Sequence, residues 1–277
     1  MIRFGSVCSG VEAASLTFNP LGWQAAWFAE IEPFPCALLE HRFPGVPNLG
    51  DMTQIPDMLD AGLVEAPDIL CGGTPCQAFS FAGSRRSLAD ARGNLSLIFC
   101  EIADAMDRQR ALRGERPVVV FWENVPGVLS TRDNAFGCFL GQLAGADAPL
   151  SSGTRTWPSA GVVAGPSRNI AWRVLDAQYF GVPQRRKRVF VVASSATDRF
   201  SPPQVLFERP CVRGDSSQVE GPRKDSSSRI DAGLVGHGEE RGMTFDDKIP
   251  TLSVSHLAKQ GLAGQSFNYR ELVLERA

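Results

Sequence analysis

The 277 residues include 28 Lys plus Arg against 30 Asp plus Glu, and 43% are hydrophobic. That balance excludes a disordered or fibrous chain and leaves material for a substantial core. At roughly 150 residues per domain, the length allows one large domain with a smaller appendage and excludes a long tandem array.

No run approaches the roughly 18 consecutive apolar residues that a membrane-spanning helix needs, and the N-terminus lacks the basic, apolar and cleavage segments of a secretory leader. The expectation is a cytoplasmic, monomeric protein with no membrane partner. The seven cysteines, at 8, 36, 71, 76, 100, 138 and 211, are scattered and mostly set in apolar segments, so reduced thiols are expected rather than a disulfide framework. Three histidines and no Cys-x-x-Cys pair argue against a metal site. The formal net charge of -2 argues against a uniformly basic nucleic-acid glove. Yet Arg85-Arg86 and Arg185-Arg186-Lys187-Arg188 are local positive clusters that a near-neutral total can hide.

In chain order, the apolar patterning predicts a strand at Ile2 to Cys8, a helix at Val11 to Phe18, a strand at Ala25 to Ile31 and a helix at Phe34 to His41. A strand at Asp68 to Cys71, a helix from Asn94 to Arg108, a strand at Pro117 to Glu123 and a helix at Phe136 to Leu143 follow. Later strands are expected at Trp172 to Leu175, Arg188 to Ala193 and Leu252 to Val254. Strands alternating with helices predict an α/β fold: a doubly wound, mostly parallel sheet covered on both faces. The Gly/Pro-rich stretch Ala148 to Arg168 reads as a surface excursion. After Ser194 the composition turns polar, with loop or linker at Pro202-Pro203, Gly214 to Ser217 and Gly221 to Ser228. Two regions are therefore expected, 1–194 for catalysis and cofactor and a loop-rich 195–277.

Open parallel sheets bind ligands beyond the carboxyl ends of their strands, so the residues just after each strand carry the chemistry. The first strand ends in Cys8-Ser9-Gly10-Val11-Glu12, a small-residue turn without the GxGxxG dinucleotide fingerprint. The second ends at Glu30, where such folds place an acid on ribose hydroxyls, and Asp51 follows Leu49-Gly50. Either acid also fits a solvated loop carboxylate. Asp68 to Gln77 runs from a buried strand into glycines and then a cysteine held by proline, a setting in which backbone amides favour a thiolate nucleophile. Taken by itself, Cys76 also fits a small apolar filler. A neighbouring strand delivers Glu123-Asn124-Val125 to the same rim, and burying a carboxylate is costly unless it is paired or used. Gln184-Arg185-Arg186-Lys187-Arg188 opens a strand from which an arginine can pair with Glu123 or a phosphate.

The ordered set Cys8-Ser9-Gly10, Glu30, Asp51, Pro75-Cys76-Gln77, Glu123-Asn124-Val125 and Gln184 to Arg188 resembles the C5-cytosine DNA methyltransferases, especially phage and prophage members, over roughly residues 2 to 195. The resemblance implies that Cys76 attacks C6 of a flipped-out cytosine, that Glu123 holds and protonates N3, and that C5 takes a methyl group from S-adenosylmethionine. It implies that Arg188 and Arg186 orient Glu123 or the base, that Asn124 supports the loop, and that Pro75 and Gln77 flank the nucleophile. For the cofactor it implies Cys8, Ser9, Gly10 and Val11 against the methionine part, Glu30 on the ribose, and Ile31, Asp51 and Met52 around adenine. Gly73, Pro75 and Leu95 would complete the pocket wall. The implied partners are double-stranded DNA and a cognate restriction endonuclease.

Cys8 stands where many relatives have Phe, and Glu12-Ala13 replace a typical glycine pair. The Gln-Gly-Phe-Pro-like and Gly-Asn-Ser-like segments usual at the family's end are not visible before Ala277. A truncated chain, or one whose missing part is supplied otherwise, is therefore expected. A catalytically incomplete remnant that binds cofactor or DNA and an RNA cytosine methyltransferase remain alternative readings.

Overall fold

The computed structural model describes residues 1–75, 95–181, 183–198 and 200–207, together with the backbone of 251–253. Cys76, Gln77, Arg85-Arg86 and the linker segments at 214–217 and 221–228 lie outside the described residues. Eight strands form one sheet: β1 (Arg3–Val7), β2 (Gln24–Ala29), β3 (Ile69–Gly72), β4 (Val119–Asn124), β5 (Ala160–Ala164), β6 (Arg168–Asp176), β7 (Lys187–Ser195) and β8 (Thr251–Ser253), in the order β2-β1-β3-β4-β7-β6-β5-β8. The first four strands run parallel; pairing from β4 through β7 and β6 to β5 is antiparallel, and β8 lies parallel to β5.

The strands form because their apolar residues alternate between two covered faces. On β4, Val120 and Trp122 enter one core cluster while Val119 and Phe121 pack against the other. Helices α1 (Ala13–Phe18) and α2 (Pro33–Arg42) lie on the face of Phe4, Phe28 and Ile69. Helices α3 (Ile55–Asp60), α4 (Leu95–Leu112) and α5 (Ala135–Ala144) contribute to the cluster around Val7, Leu70 and Trp122. In α4, Ser96, Phe99, Cys100, Ala103 and Met106 are buried at helical spacing. The sheet is thus doubly wound, and the strand order reverses direction at β1, between β2 and β3.

Two expectations are corrected. The stretch from Ala148 to Arg168 is not a surface excursion: Leu150 and Trp157 are buried, and Ala160–Ala164 is β5. The Trp157 indole donates to Asn134 Oδ1 (2.9 Å) and meets the rings of Phe136 and Trp172 edge-on, so the polar chain around it dives into the core. The Pro202-Pro203 stretch is not a linker either. It begins the short helix α6 (Pro203–Leu206), after which Phe207 is buried, and Leu206 and Phe207 join Val162, Ala171 and Val192 in a third cluster.

Register brings the functional ends together. Ala29, Val7, Gly72 and Trp122 lie in one row across β2, β1, β3 and β4. Because β7 is antiparallel, its first residues reach the same rim, with Asn124 opposite Val189 and Leu175 opposite Arg188.

Candidate active site

Glu30 follows β2 directly, with both carboxylate oxygens held by backbone amides. Oε2 accepts from Gly10 (2.8 Å), and Oε1 accepts from Ile31 (2.8 Å) and Glu32 (2.9 Å). The turn after β1 reaches it through three left-handed residues, Cys8 (φ 51), Gly10 (φ 54) and Glu12 (φ 62). Only glycine adopts that conformation freely, so the curl of this turn is stored backbone strain. Ser9 Oγ donates to the Ser6 carbonyl, and its backbone N–H to the Ala29 carbonyl. The Cys8 thiol lies 3.6 Å from the Met52 sulfur. Burial, reinforced by the charge of Glu30, pushes that thiol up to about 11, so Cys8 is a protonated wall of the crevice and not a nucleophile.

Asn48, which the sequence reading passed over, clamps this corner. Its Oδ1 accepts from Glu30 N (3.0 Å) and Gly50 N (3.2 Å), and its Nδ2 donates to the Glu30 carbonyl (3.1 Å). The Asp51 carboxylate is exposed and accepts from Thr53 N (3.0 Å), capping its own turn. Met52 is buried, whereas Val11 and Ile31 are 52% and 66% exposed, leaving apolar surface at the rim.

These residues fit S-adenosylmethionine. A carboxylate offers about four acceptor sites, and three amides on Glu30 leave one for a ribose hydroxyl. A Cβ built on Gly10 would meet nothing within 4 Å, so the turn borders open space, and uncovered Val11 and Ile31 offer apolar contact beside it.

Across the β1–β3 boundary, Glu123 is partly buried and its Oε1 accepts from Arg188 Nε at 2.9 Å, with Arg186 Nη2 at 3.8 Å. The turn after β3 presses against it. A Cβ on Gly73 would lie 3.1 Å from Glu123 Oε2, so a side chain there would crowd the carboxylate. Asn124 is buried: its Nδ2 donates to the Thr74 carbonyl (2.9 Å) and its Oδ1 accepts from Val125 N (2.8 Å). Pro75 is exposed, and Leu95 opens α4 packed against the main core. Thr74 was also missed; its hydroxyl accepts from the Trp122 indole N–H (2.9 Å) and lies 2.7 Å from Ser96 Oγ. No sequence motif announces it, because its partners stand 22 and 48 residues away.

Residues 2–224 match the family model described as C-5 cytosine-specific DNA methylase. A protein of Escherichia phage P1 described as a DNA N-6-adenine-methyltransferase is 51% identical over 268 residues, covering 89% of this chain and 35% of that protein. The type II methyltransferase M.NgoBV of Neisseria gonorrhoeae is 31% identical over 213 residues, 75% of this chain and 44% of that protein. The chain thus spans less than half the length of these relatives. A prophage-encoded E. coli protein described as a DNA modification methyltransferase shares the fold, with a TM-score of 0.51 at 19% identity, covering 70% of this chain and 47% of that one.

Proposed function

Because this chain belongs to the C-5 cytosine-specific DNA methylase family, we propose that it methylates C5 of cytosine in double-stranded DNA through a covalent adduct on Cys76. The observation that carries the reading is the Glu123 carboxylate, held by Arg188 and pressed by Gly73, three residues before the thiol. A carboxyl group so held can hydrogen-bond a ring nitrogen while the neighbouring segment brings a nucleophile to the same ring.

In the proposed reaction the Cys76 thiolate forms an S–C6 bond, the C5–C6 electron pair moves onto C5, and N3 takes the Glu123 proton. Arg188 stabilises the carboxylate left behind. Glu30, Gly10, Val11, Ile31 and Met52 would hold S-adenosylmethionine, whose sulfonium would supply the methyl group for C5 and leave as the thioether S-adenosylhomocysteine. Loss of the C5 proton to water then restores the double bond and expels the thiolate, and N3 returns its proton to Glu123. Since C6 is inaccessible inside a duplex, the cytosine leaves the stack, at a cost of about a few kcal/mol that pocket contacts offset. On this reading the part of 195–277 beyond α6 and the core residue Phe207 supplies part of target recognition, the protein acts as a cytoplasmic monomer, and a cognate restriction endonuclease is the partner its type II relatives suggest.

The phage P1 relative favours a second reading, methylation of the adenine amino group. That reaction occurs at an exocyclic nitrogen, which needs neither a thiol at C6 nor an acid at N3, and the chain covers only 35% of that relative. Labelled cofactor is incubated with duplex DNA, single strands and tRNA, and the nucleic acid is digested to nucleosides. Label in 5-methyldeoxycytidine from duplex DNA is expected. Label in N6-methyldeoxyadenosine or in tRNA would replace this reading, and cofactor binding without label would mark an incomplete remnant. Duplex carrying 5-fluorocytosine is expected to trap the parent and not Cys76→Ala; trapping that survives would reassign the nucleophile.

A further inference from the structure

The buried hydroxyl of Thr74 ties the turn after β3, which leads to Cys76, to two further elements. It accepts from Trp122 Nε1 (2.9 Å) on β4 and contacts Ser96 Oγ (2.7 Å) on α4, while its carbonyl accepts from Asn124 Nδ2 (2.9 Å). The Trp122 ring is itself fixed, stacked on Phe139 of α5 at 4.2 Å between centroids, so its N–H has one direction in which to donate. An indole nitrogen can only donate, which makes Thr74 Oγ1 its acceptor. No side-chain N or O atom of Thr74, Ser96, Trp122 or Asn124 is buried without a partner, the condition under which such a network rigidifies its surroundings.

We propose that Thr74 is a positioning residue: its hydroxyl, held between Trp122 and Ser96, sets the backbone from which Cys76 is presented to Glu123. The proposal rests on the role of Cys76 given above. Covalent geometry transmits the constraint. A residue before proline is confined to the extended region, and proline fixes its own φ near about -65°, so few torsions separate the Thr74 anchor from the next α-carbon. The same anchor reaches the acid, since Trp122 and Asn124 flank Glu123 on β4.

The test compares Thr74→Ser, which keeps the hydroxyl, with Thr74→Val, which keeps the shape and leaves Trp122 N–H without its acceptor. One readout is independent of turnover: the pH profile of iodoacetamide alkylation, assigned to Cys76 by peptide mass spectrometry. The others are kcat, KM for DNA and Tm. Thr74→Val is expected to shift the alkylation profile and lower kcat by about 10- to 100-fold, with KM changed by less than about twofold. Thr74→Ser is expected to restore both. A folded Thr74→Val that alkylates along the parent profile overturns the proposal, as does an equal loss in Ser and Val variants. If Thr74→Val does not fold, Ser96→Ala removes one contact and is expected to shift the profile less in the same direction; no shift again overturns it. A parent without methyl transfer whose Cys76 profile still responds to Thr74 would sink the functional reading and leave the positioning role standing.

Discussion

Glu12 shows how much one residue is asked to bear beneath the turn after β1. It is 1% exposed, adopts a left-handed backbone, and its Oε1 accepts from Ser15 N (2.9 Å) and Ser15 Oγ (3.1 Å), capping α1. Burial raises its pKa above the ordinary value of 4.5, more than the surrounding hydrogen bonds lower it. A carboxyl group with a raised folded pKa binds protons more tightly folded than unfolded. Its contribution is therefore fully present below the unfolded value and lost as pH rises through the folded one. The Tm of the parent should fall relative to Glu12→Gln as pH rises above the ordinary carboxylate value of 4.5, because the variant removes this titration. Parallel Tm curves would mean that Glu12 titrates like an exposed acid.

At the scale of elements, two strand pairs share one device. Gly5 of β1 stands opposite Trp27 of β2, and Gly161 of β5 opposite Trp172 of β6. In each pair the indole lies over the glycine, so an added Cβ would overlap the ring. The tryptophan covers backbone that a side chain would otherwise cover, and this pins the register. Gly161→Ala should therefore cost about 1–3 kcal/mol and lower Tm by several degrees, whereas Gly45→Ala, with nothing within 4 Å of its Cβ, should be near neutral. Equal thermal stability of the two variants would contradict the role given to the indoles.

That device also explains what the sequence hid. Strands β1, β3, β4 and β7 were legible because covering helices demand unbroken runs such as Val118-Val119-Val120-Phe121-Trp122. The β5 strand was not, because Gly161 interrupts it and its burial comes from Trp172, a long-range partner. Likewise Glu30, Glu123, Arg186 and Arg188 were legible as acids and bases at strand ends. Asn48 and Thr74 were not, since an asparagine and a threonine in a loop carry no period and gain their roles only when β2, α4 and β4 are assembled.

For the whole molecule, one rim gathers the ends of β2, β1, β3, β4 and β6 and the start of β7, and the exposed cations Arg185, Arg186 and Lys187 stand on it beside Glu123. The net charge of -2 gives no general attraction for a polyanion, so on the proposed reading DNA affinity should draw on this local patch. Arg186 and Arg188 are engaged with Glu123, which makes Arg185 and Lys187 the residues to vary without disturbing the acid. Each phosphate contact releases condensed counterions, and its loss flattens the dependence of log K on log salt by about 1. The double variant Arg185→Gln/Lys187→Gln should thus bind duplex DNA with a slope shallower by up to about 2, measured by fluorescence anisotropy between about 50 and 200 mM salt. Its kcat at saturating DNA should match the parent, because neither side chain reaches Glu123. An unchanged slope would route the phosphate backbone away from the β6–β7 connection.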